Sequence, residues 1–406
     1  MSISGRLGSR SSVVVVGAST AGVAAVETLR AGGYTGRLVL ADKQLDRPYY
    51  RPALSKEYLT GELTADEICT LSEARSRELG IDMMLGSRAS SLDCAKQTIM
   101  LGNERLSYDA LLIATGVRAR MPASFKSLPG VHTLRTVDDA RRIAREMSTN
   151  QPRVAIVGGG FIGCETAAAA RSHGLAVTIV ESEPRLLQRV LTQELADSLI
   201  NLHQDHDVTV MCGSAVTAVL GETRARGLSL ADGSAVDADL IVVGVGTVPE
   251  IEWLAGSSVE LDDGILTTLS LRTTVDNVYA AGDIVRWKTR KGRYSRRSEH
   301  WAAARAQGEL AARNLLTGCD EAYTHAEYGW SDQYDRQFQM IGSFGSRVEL
   351  VLGDGREGPY VALSGDRNIV TGAIALDHHN AFKRARVLVA NRSTWHQCFA
   401  EQWQKA

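Results

Sequence analysis

Two short glycine-rich stretches carry the residue types and spacing for phosphate chemistry. Gly17-Ala18-Ser19-Thr20-Ala21-Gly22 follows the apolar run SVVVV, and an acid, Asp42, closes the next apolar run 25 residues after Gly17. Gly158-Gly159-Gly160-Phe161-Ile162-Gly163 follows VAIV in the same way, with Glu181 23 residues after Gly158. A glycine turn lets the backbone approach a pyrophosphate closely, and the helix it opens supplies unsatisfied N–H groups and about half a positive charge. The acid accepts hydrogen bonds from an adenosine ribose. One G-x-G-x-x-G is weak evidence. Two copies with matching acid spacing point to two dinucleotide sites, one at Gly17, Ser19, Ala21, Gly22 and Asp42, the other at Gly158, Gly160, Ile162, Gly163 and Glu181. The first copy has Ser19 at the central glycine position, where its hydroxyl can donate to a phosphate oxygen. Two dinucleotides in one chain most simply mean FAD in one site and a pyridine nucleotide in the other, with hydride passing between them.

The elements around these turns fit that chemistry. Ser12–Gly17, Arg37–Leu40, Val154–Val157 and Val177–Val180 read as strands buried on both faces, the parallel-sheet type. Val23–Arg30 and Cys164–His173 between them have helical composition, which makes two βαβ units. Further strand-like runs ending at glycine or acid are Ala110–Gly116, Leu240–Gly246 and Val278–Asp283, and Gly308–Leu316 reads as helix. From about Ala326 the pattern shortens to alternating stretches such as Arg347–Leu352 and Ile369–Leu376, as in an α+β domain. The fold class expected is α/β, with two Rossmann-like dinucleotide-binding domains and a C-terminal α+β domain.

Length and composition limit the alternatives. The chain of 406 residues is long enough for two to three domains. No run approaches the roughly 20 apolar residues of a membrane span, and Met1–Ser12 has no apolar core for a secretory signal. The six cysteines are far apart with no C-x-x-C, so a disulfide framework, a zinc ribbon and a cysteine-ligated cluster are not expected. No metal site and no membrane partner are expected, and the expected compartment is a reducing cytoplasm. The formal net charge of −2 conceals an uneven distribution: Arg286–Arg297 (RWKTRKGRYSRR) holds seven basic residues and no acid. Such a run is either a solvated loop or a docking surface.

Longer segments carry a resemblance. DRPYYRPALSKEYL at Asp46–Leu59, ATG at Ala114–Gly116, GGGFIGCE at Gly158–Glu165, ESEPRLLQRVL at Glu181–Leu191, GVGTVP at Gly244–Pro249, AAGD at Ala280–Asp283, SEHWAAARAQG at Ser298–Gly308 and WSDQYD at Trp330–Asp335 occur in order. Together they resemble the FAD-dependent ferredoxin reductases of bacterial oxygenase systems, the putidaredoxin-reductase and biphenyl-dioxygenase-reductase type. The resemblance implies a glutathione-reductase-like fold: an FAD domain from 12–121 and 249–325, an NAD domain at 122–248, and a C-terminal domain at 326–406. It implies that Asp283 holds the flavin ribityl chain and that Arg51, Lys56, Ala89, Ala114, Arg135 and Trp301 lie at the FAD. It places Glu181, Arg189 and Gly246 at the NADH. It makes Lys56 and Glu165 the catalytic pair, joining the FAD and NAD domains, and implies an NADH:ferredoxin oxidoreductase whose partner is an acidic ferredoxin.

Some positions depart from that family or stay open. Lys43 stands where the family's ribose-binding acid is expected, so the role passes to Asp42. Ala53 replaces a proline, and Glu250 follows Pro249 where asparagine is common. Glu165 can be read instead as a helix-dipole partner, Lys56 as a surface lysine, and Trp301 and Trp330 as core aromatics; His378 and His379 read as surface histidines. Asp46–Leu59 lacks the redox cysteines of the disulfide reductases, so electrons leave the flavin singly rather than through a dithiol. Rubredoxin reductase, NADH oxidase and a redox sensor resembling apoptosis-inducing factor are the other functions weighed. The last would bind nucleic acid, which the acidic body of the chain argues against. Arg286, Lys288, Arg290, Lys291, Arg293, Arg296 and Arg297 are the candidate docking residues, with Lys383, Arg384 and Arg386 next.

Overall fold

Runs of β-branched residues with little polar alternation pack as strands covered on both faces. In the computed structural model, which describes residues 7–125, 128–188, 190–289, 292–355, 358–400 and 403, these runs form two parallel sheets. The first has the order Val278–Ala280, Ala110–Ile113, Ser12–Val16, Arg37–Ala41, Ile81–Met84. Val14 is in register with Val39 on one side and Leu111 on the other. The second has the order Val208–Met211, Val177–Val180, Val154–Val157, Leu240–Val243, Val131–Thr133. In each sheet the strand before the glycine turn lies where the strand order reverses, so the turn opens into the crevice in which ligands bind such sheets.

The chain divides into two compact units. One takes the chain up to Arg51 with Ala65–Arg118 and Thr247–His325, and contains the first parallel sheet. The other takes Pro52–Thr64, Ala119–Gly246 and the chain from Ala326, and contains the second. This grouping differs from the ranges expected from sequence. The segment 52–64 falls inside the expected FAD range but packs in the second unit, where its helix Glu57–Thr60 lies on helices Phe161–Ser172 and Val137–Met147. The carbonyl of Leu59 is 2.7 Å from Nε2 of His173.

Within the first unit, helices Thr20–Ala31 and Trp301–Thr317 pack together through small residues. A Cβ at Gly308 would stand 2.2 Å from the carbonyl oxygen of Ala21, so the backbones themselves meet there. This fixes the start of the helix that follows the first glycine turn.

The second unit also holds a five-stranded antiparallel sheet ordered Tyr328–Gln333, Arg336–Gly342, Ile369–Leu376, Tyr360–Asp366, Arg347–Leu352, with helix His379–Ala390 packed on it. Its first strand alternates, burying Gly329, Ser331 and Gln333. Two of those three are polar, and both are fully buried. Buried polar groups need partners, so this strand faces something other than an apolar core. No described helix is long and apolar enough to cross a membrane.

Gly308→Ala forces two backbones apart, an overpacking cost of about 1–3 kcal/mol. The expected result is a melting temperature several degrees below wild type by differential scanning fluorimetry, while Gly358→Ala, where a Cβ meets nothing within 4 Å, melts as wild type.

Candidate functional site

The two glycine turns share one backbone plan. Gly17 and Gly158 have φ of 108° and 107°, a region that strains any side chain. A Cβ there would stand 2.1 Å from the Ala114 oxygen and 2.5 Å from the Gly244 oxygen respectively. At the first turn the N–H of Ala18 donates to Asp42 Oδ2 at 2.7 Å, and that of Gln44 to Oδ1 at 2.8 Å. At the second, the N–H of Gly159 donates to Glu181 Oε2 at 2.5 Å, and that of Glu183 to Oε1 at 2.7 Å. Each acid is thus locked to its turn with lone pairs left for ribose hydroxyls. Gly22 and Gly163 let the helix start directly on the turn, since a Cβ on either would stand about 2 Å from the Gly17 or Gly158 carbonyl oxygen.

Around the first turn, Ser19 caps helix Thr20–Ala31 and its hydroxyl accepts from Arg51 at 3.3 Å. The guanidinium therefore stands at the helix N-terminus, where two anionic phosphates would meet a cation, a hydroxyl and free N–H groups. Ala21 packs against Gly282, and the N–H of Ala114 donates to Val16 O at 2.7 Å. Asp283 is buried in the turn after Val278–Ala280. Trp301 opens its helix with its ring edge-to-face on Tyr50, 5.5 Å between centroids. Ala89, also buried, begins a strand of the small antiparallel sheet. These residues belong to one unit, and their donor set and bare backbone fit an FAD. Arg135 and Lys56 lie in the other unit. The Arg135 N–H donates to Asp139 at 3.1 Å.

Lys43 points away from the acid's role altogether. Its Nζ is 2.5 Å from Glu250 Oε1, while Arg88 and Arg118 lie 3.7 and 3.9 Å from the same carboxylate. The Glu250 N–H donates to Gly116 O, and Thr115 Oγ1 donates to Glu250 O at 3.0 Å. The two departures at 43 and 250 are thus one feature, an ion pair across 207 residues of sequence.

Around the second turn, Ile162 is 44% exposed, and Gly160 and Gly246 have nothing within 4 Å of a built Cβ. That bare, open surface beside Glu181 fits a second dinucleotide. Arg189 lies outside the described residues.

Lys56 and Glu165 meet in the second unit. Glu165 is 3% exposed. Its Oε1 is 3.1 Å from Lys56 Nζ and accepts from Ser331 Oγ at 2.7 Å, and its Oε2 accepts from Ser55 Oγ at 2.5 Å. Burial pushes its carboxyl above the usual range, while Lys56, Ser55 and Ser331 favour the ionised form and oppose the rise. Lys56 also lies 4.0 Å from Asp332 and 5.8 Å from the Trp330 ring centre. Glu165 is the fifth residue of its helix and is held by side chains, so the helix-dipole reading fails; Lys56 is nearly buried and not a surface lysine. The pair lies within one unit instead of joining the two expected domains. Ser55 and Ser331 escaped the sequence reading, although both sit inside quoted segments. Cys164 is buried, and desolvation raises its thiol far above the ordinary value, which makes it inert.

Within the basic run, Lys288 is bridged antiparallel to Tyr294. Two of the seven cations are consumed inside the fold. Arg286 pairs with Asp262 at 2.5 Å, and Arg297, with its side chain only 10% exposed, pairs with Glu299 at 2.7 Å and Asp263 at 3.4 Å. Lys288, Arg293 and Arg296 are exposed; Arg290 and Lys291 lie outside the described residues. His379 is 3.0 Å from Gln339, and no cluster able to hold a metal occurs among the described residues.

Residues 11–308 match the family model described as pyridine nucleotide-disulphide oxidoreductase, and 328–400 match the one described as reductase C-terminal. The chain is 34% identical over 383 residues to the anthranilate 1,2-dioxygenase system ferredoxin–NAD(+) reductase component of Burkholderia cepacia, covering 93% of each. It is 33% identical to the biphenyl dioxygenase system ferredoxin–NAD(+) reductase component of Paraburkholderia xenovorans, covering 94% of this chain and 93% of that one. Among solved structures it resembles the covalent putidaredoxin reductase–putidaredoxin complex (TM-score 0.90, 26% identity, 95% and 94% covered). It also resembles the ferredoxin reductase for the CYP199A2 system of Rhodopseudomonas palustris (TM-score 0.90, 29% identity, 95% and 96% covered).

Removing Lys56 leaves a buried carboxylate without its cation, a loss of about 3–5 kcal/mol. A carboxyl raised in the folded state destabilises as pH rises from its unfolded value through its folded one. Lys56→Met is therefore expected to melt well below wild type at pH 8 and to recover as pH falls towards 5. Lys56→Met/Glu165→Gln is expected to regain most of the loss and to show no such pH dependence.

Proposed function

We propose that this chain, which belongs to the pyridine nucleotide-disulphide oxidoreductase family, is an NADH-dependent flavoprotein reductase that delivers electrons to a small acidic iron–sulfur ferredoxin serving an oxygenase. The single observation that carries the reading is the pair of acid-locked glycine turns, one per unit, in a chain whose fully buried Cys164 cannot serve as a redox thiol. FAD, when bound, accepts a hydride and gives up electrons one at a time. The protein's own residues bind, select and hold charge. The first turn, with Arg51 on Ser19, binds a pyrophosphate, and Asp42 takes the ribose beside it. Asp283, Trp301, Ala89, Ala114 and Arg135 complete the FAD set. The second turn binds the nicotinamide dinucleotide, with Gly246 leaving room and Arg189 assisting at the adenosine.

Glu181 sets the choice of nucleotide. Its carboxylate is fixed by two backbone N–H groups and cannot swing away from a 2′-phosphate. Lys56, pinned to Glu165, is the fixed cation that stabilises the negative charge of a reduced flavin. The relatives' names speak of ferredoxin, and the exposed cations Lys288, Arg293 and Arg296 suit an acidic one, because complementary charge raises the rate of encounter. Cytoplasmic placement fits a chain in which no disulfide forms among the described cysteines.

NADPH is expected to be poorer than NADH by tenfold or more in kcat/KM, about 1.4 kcal/mol, in steady-state reduction of a dye. Equal efficiency would remove Glu181 from the role.

Ferredoxin reduction by wild type is expected to fall steeply with ionic strength, since exposed charges are screened beyond about 8 Å at physiological salt. Lys288→Glu/Arg293→Glu/Arg296→Glu is expected to raise KM for ferredoxin severalfold and to flatten that salt dependence, with a much smaller effect on KM for a dye. A normal ferredoxin KM at low salt would turn attention to Lys383, Arg384 and Arg386.

A further inference from the structure

Behind the Lys56–Glu165 pair lies a line of buried polar side chains that the proposed reaction does not use. Ser331, which donates to Glu165 Oε1 at 2.7 Å, itself accepts from Gln333 Nε2 at 3.1 Å. Both are fully buried on the same face of one strand. With its amide nitrogen turned to Ser331, Gln333 presents Oε1 on its other side, and that atom has no hydrogen-bond partner of normal geometry. His203, fully buried on helix Gln193–Asp205, has one unmatched nitrogen, Nε2. Gln333 lies against this ring and favours its protonated form, as an acceptor facing Nε2 does. The other ring nitrogen, Nδ1, is 2.8 Å from the Tyr334 hydroxyl.

The chemistry of these atoms fixes their direction. Burial lowers His203 to about 4, so the ring is neutral near pH 7 and carries one N–H. An acceptor at Gln333 Oε1 places that hydrogen on Nε2 and leaves Nδ1 to accept from Tyr334 O–H. The donors then point one way: Tyr334 to His203, the His203 Nε2–H towards Gln333 Oε1 without a bond of normal geometry, Gln333 to Ser331, and Ser331 to Glu165. A line of hydrogen bonds with one polarity strengthens its last member. That last member donates to a carboxylate, where donors favour the ionised form.

A second observation lies at the outer end. Tyr334 sits at φ 56° in the turn between two strands, a conformation that suits glycine or asparagine better than tyrosine. Its ring stacks on His206 with centroids 3.6 Å apart, and its hydroxyl holds His203. Such backbone persists where the surroundings over-determine it, commonly at functional sites.

We propose that Tyr334, His203 and Gln333 are positioning residues that hold Ser331 as a donor and so keep Glu165 ionised against Lys56. The inference rests on the role given to that pair under the proposed function. Among the described residues, the other ionisable groups against this line are Asp332, the Cys164 thiol, His206, and Arg171 with its partner Asp207. All are retained in the variants below.

The test uses the FAD-loaded protein and three variants, Tyr334→Phe, Gln333→Leu and His203→Phe. Infrared difference titration follows the Glu165 carboxyl, identified as the signal lost in Glu165→Gln. Stopped-flow reduction by excess NADH is recorded from pH 5 to 9. The carboxyl is expected to titrate at higher pH in all three variants, least in Tyr334→Phe, which loses one oxygen and keeps the ring stack. The acid limb of the reduction rate is expected to move with it, falling more than threefold at pH 6 in Gln333→Leu while the plateau above pH 8 holds. An unmoved carboxyl titration in Tyr334→Phe and Gln333→Leu, or a rate loss uniform across pH, overturns the inference and leaves these residues a packing role. Failure of NADH to reduce the wild-type flavin at all would instead overturn the proposed function, and the infrared titration would still decide the hydrogen-bond line.

Discussion

A carboxylate buried to 3% exposure organises the second unit. Removing an ion from water costs several kcal/mol even after relaxation, and the cost is offset only by a cation and well-placed donors. Glu165 obtains these from two stretches distant in sequence: Lys56 and Ser55 from 52–64, and Ser331 from the C-terminal sheet. The same requirement explains why 52–64 leaves the range in which its sequence neighbours fold. It also explains why the strand Tyr328–Gln333 buries serine and glutamine where an ordinary sheet would bury apolar side chains.

The two dinucleotide turns show a different economy. Each fixes its acid by the same two backbone donors, so the carboxylate is oriented before any ribose arrives. Preorganised acceptors cost no reordering on binding. The turns diverge only where side chains enter. Ser19 brings Arg51 to the first helix N-terminus, whereas the second turn is bare at Gly160 and open at Gly246. A turn carrying its own cation suits a cofactor that stays, and a bare one suits a substrate that comes and goes.

Charge on the surface obeys the same logic of partners. Of the described cations in Arg286–Arg297, the two at its ends are drawn into ion pairs, and Lys288, Arg293 and Arg296 stay in water. The segment is therefore held by part of its charge and displays another part. Lys43 shows the converse. A cation in place of an expected acid is accommodated because a new acid, Glu250, stands opposite it.

What the sequence determined by itself was local: the strands, both glycine turns, the acids that lock them, and the segments RPALSK and WSDQYD that proved to carry Lys56, Ser55 and Ser331. Strand burial and turn geometry are dictated within a few residues by β-branching and by positive φ, so they can be read along the chain. What only the tertiary structure decided was partnership. Lys43 with Glu250, Ser331 with Glu165, His203 with Tyr334, and the loss of Arg286 and Arg297 to internal ion pairs join positions whose distances depend on how strands cross over and sheets pack. No periodicity or spacing encodes such meetings, because a side chain's partner is set by the fold of everything between them.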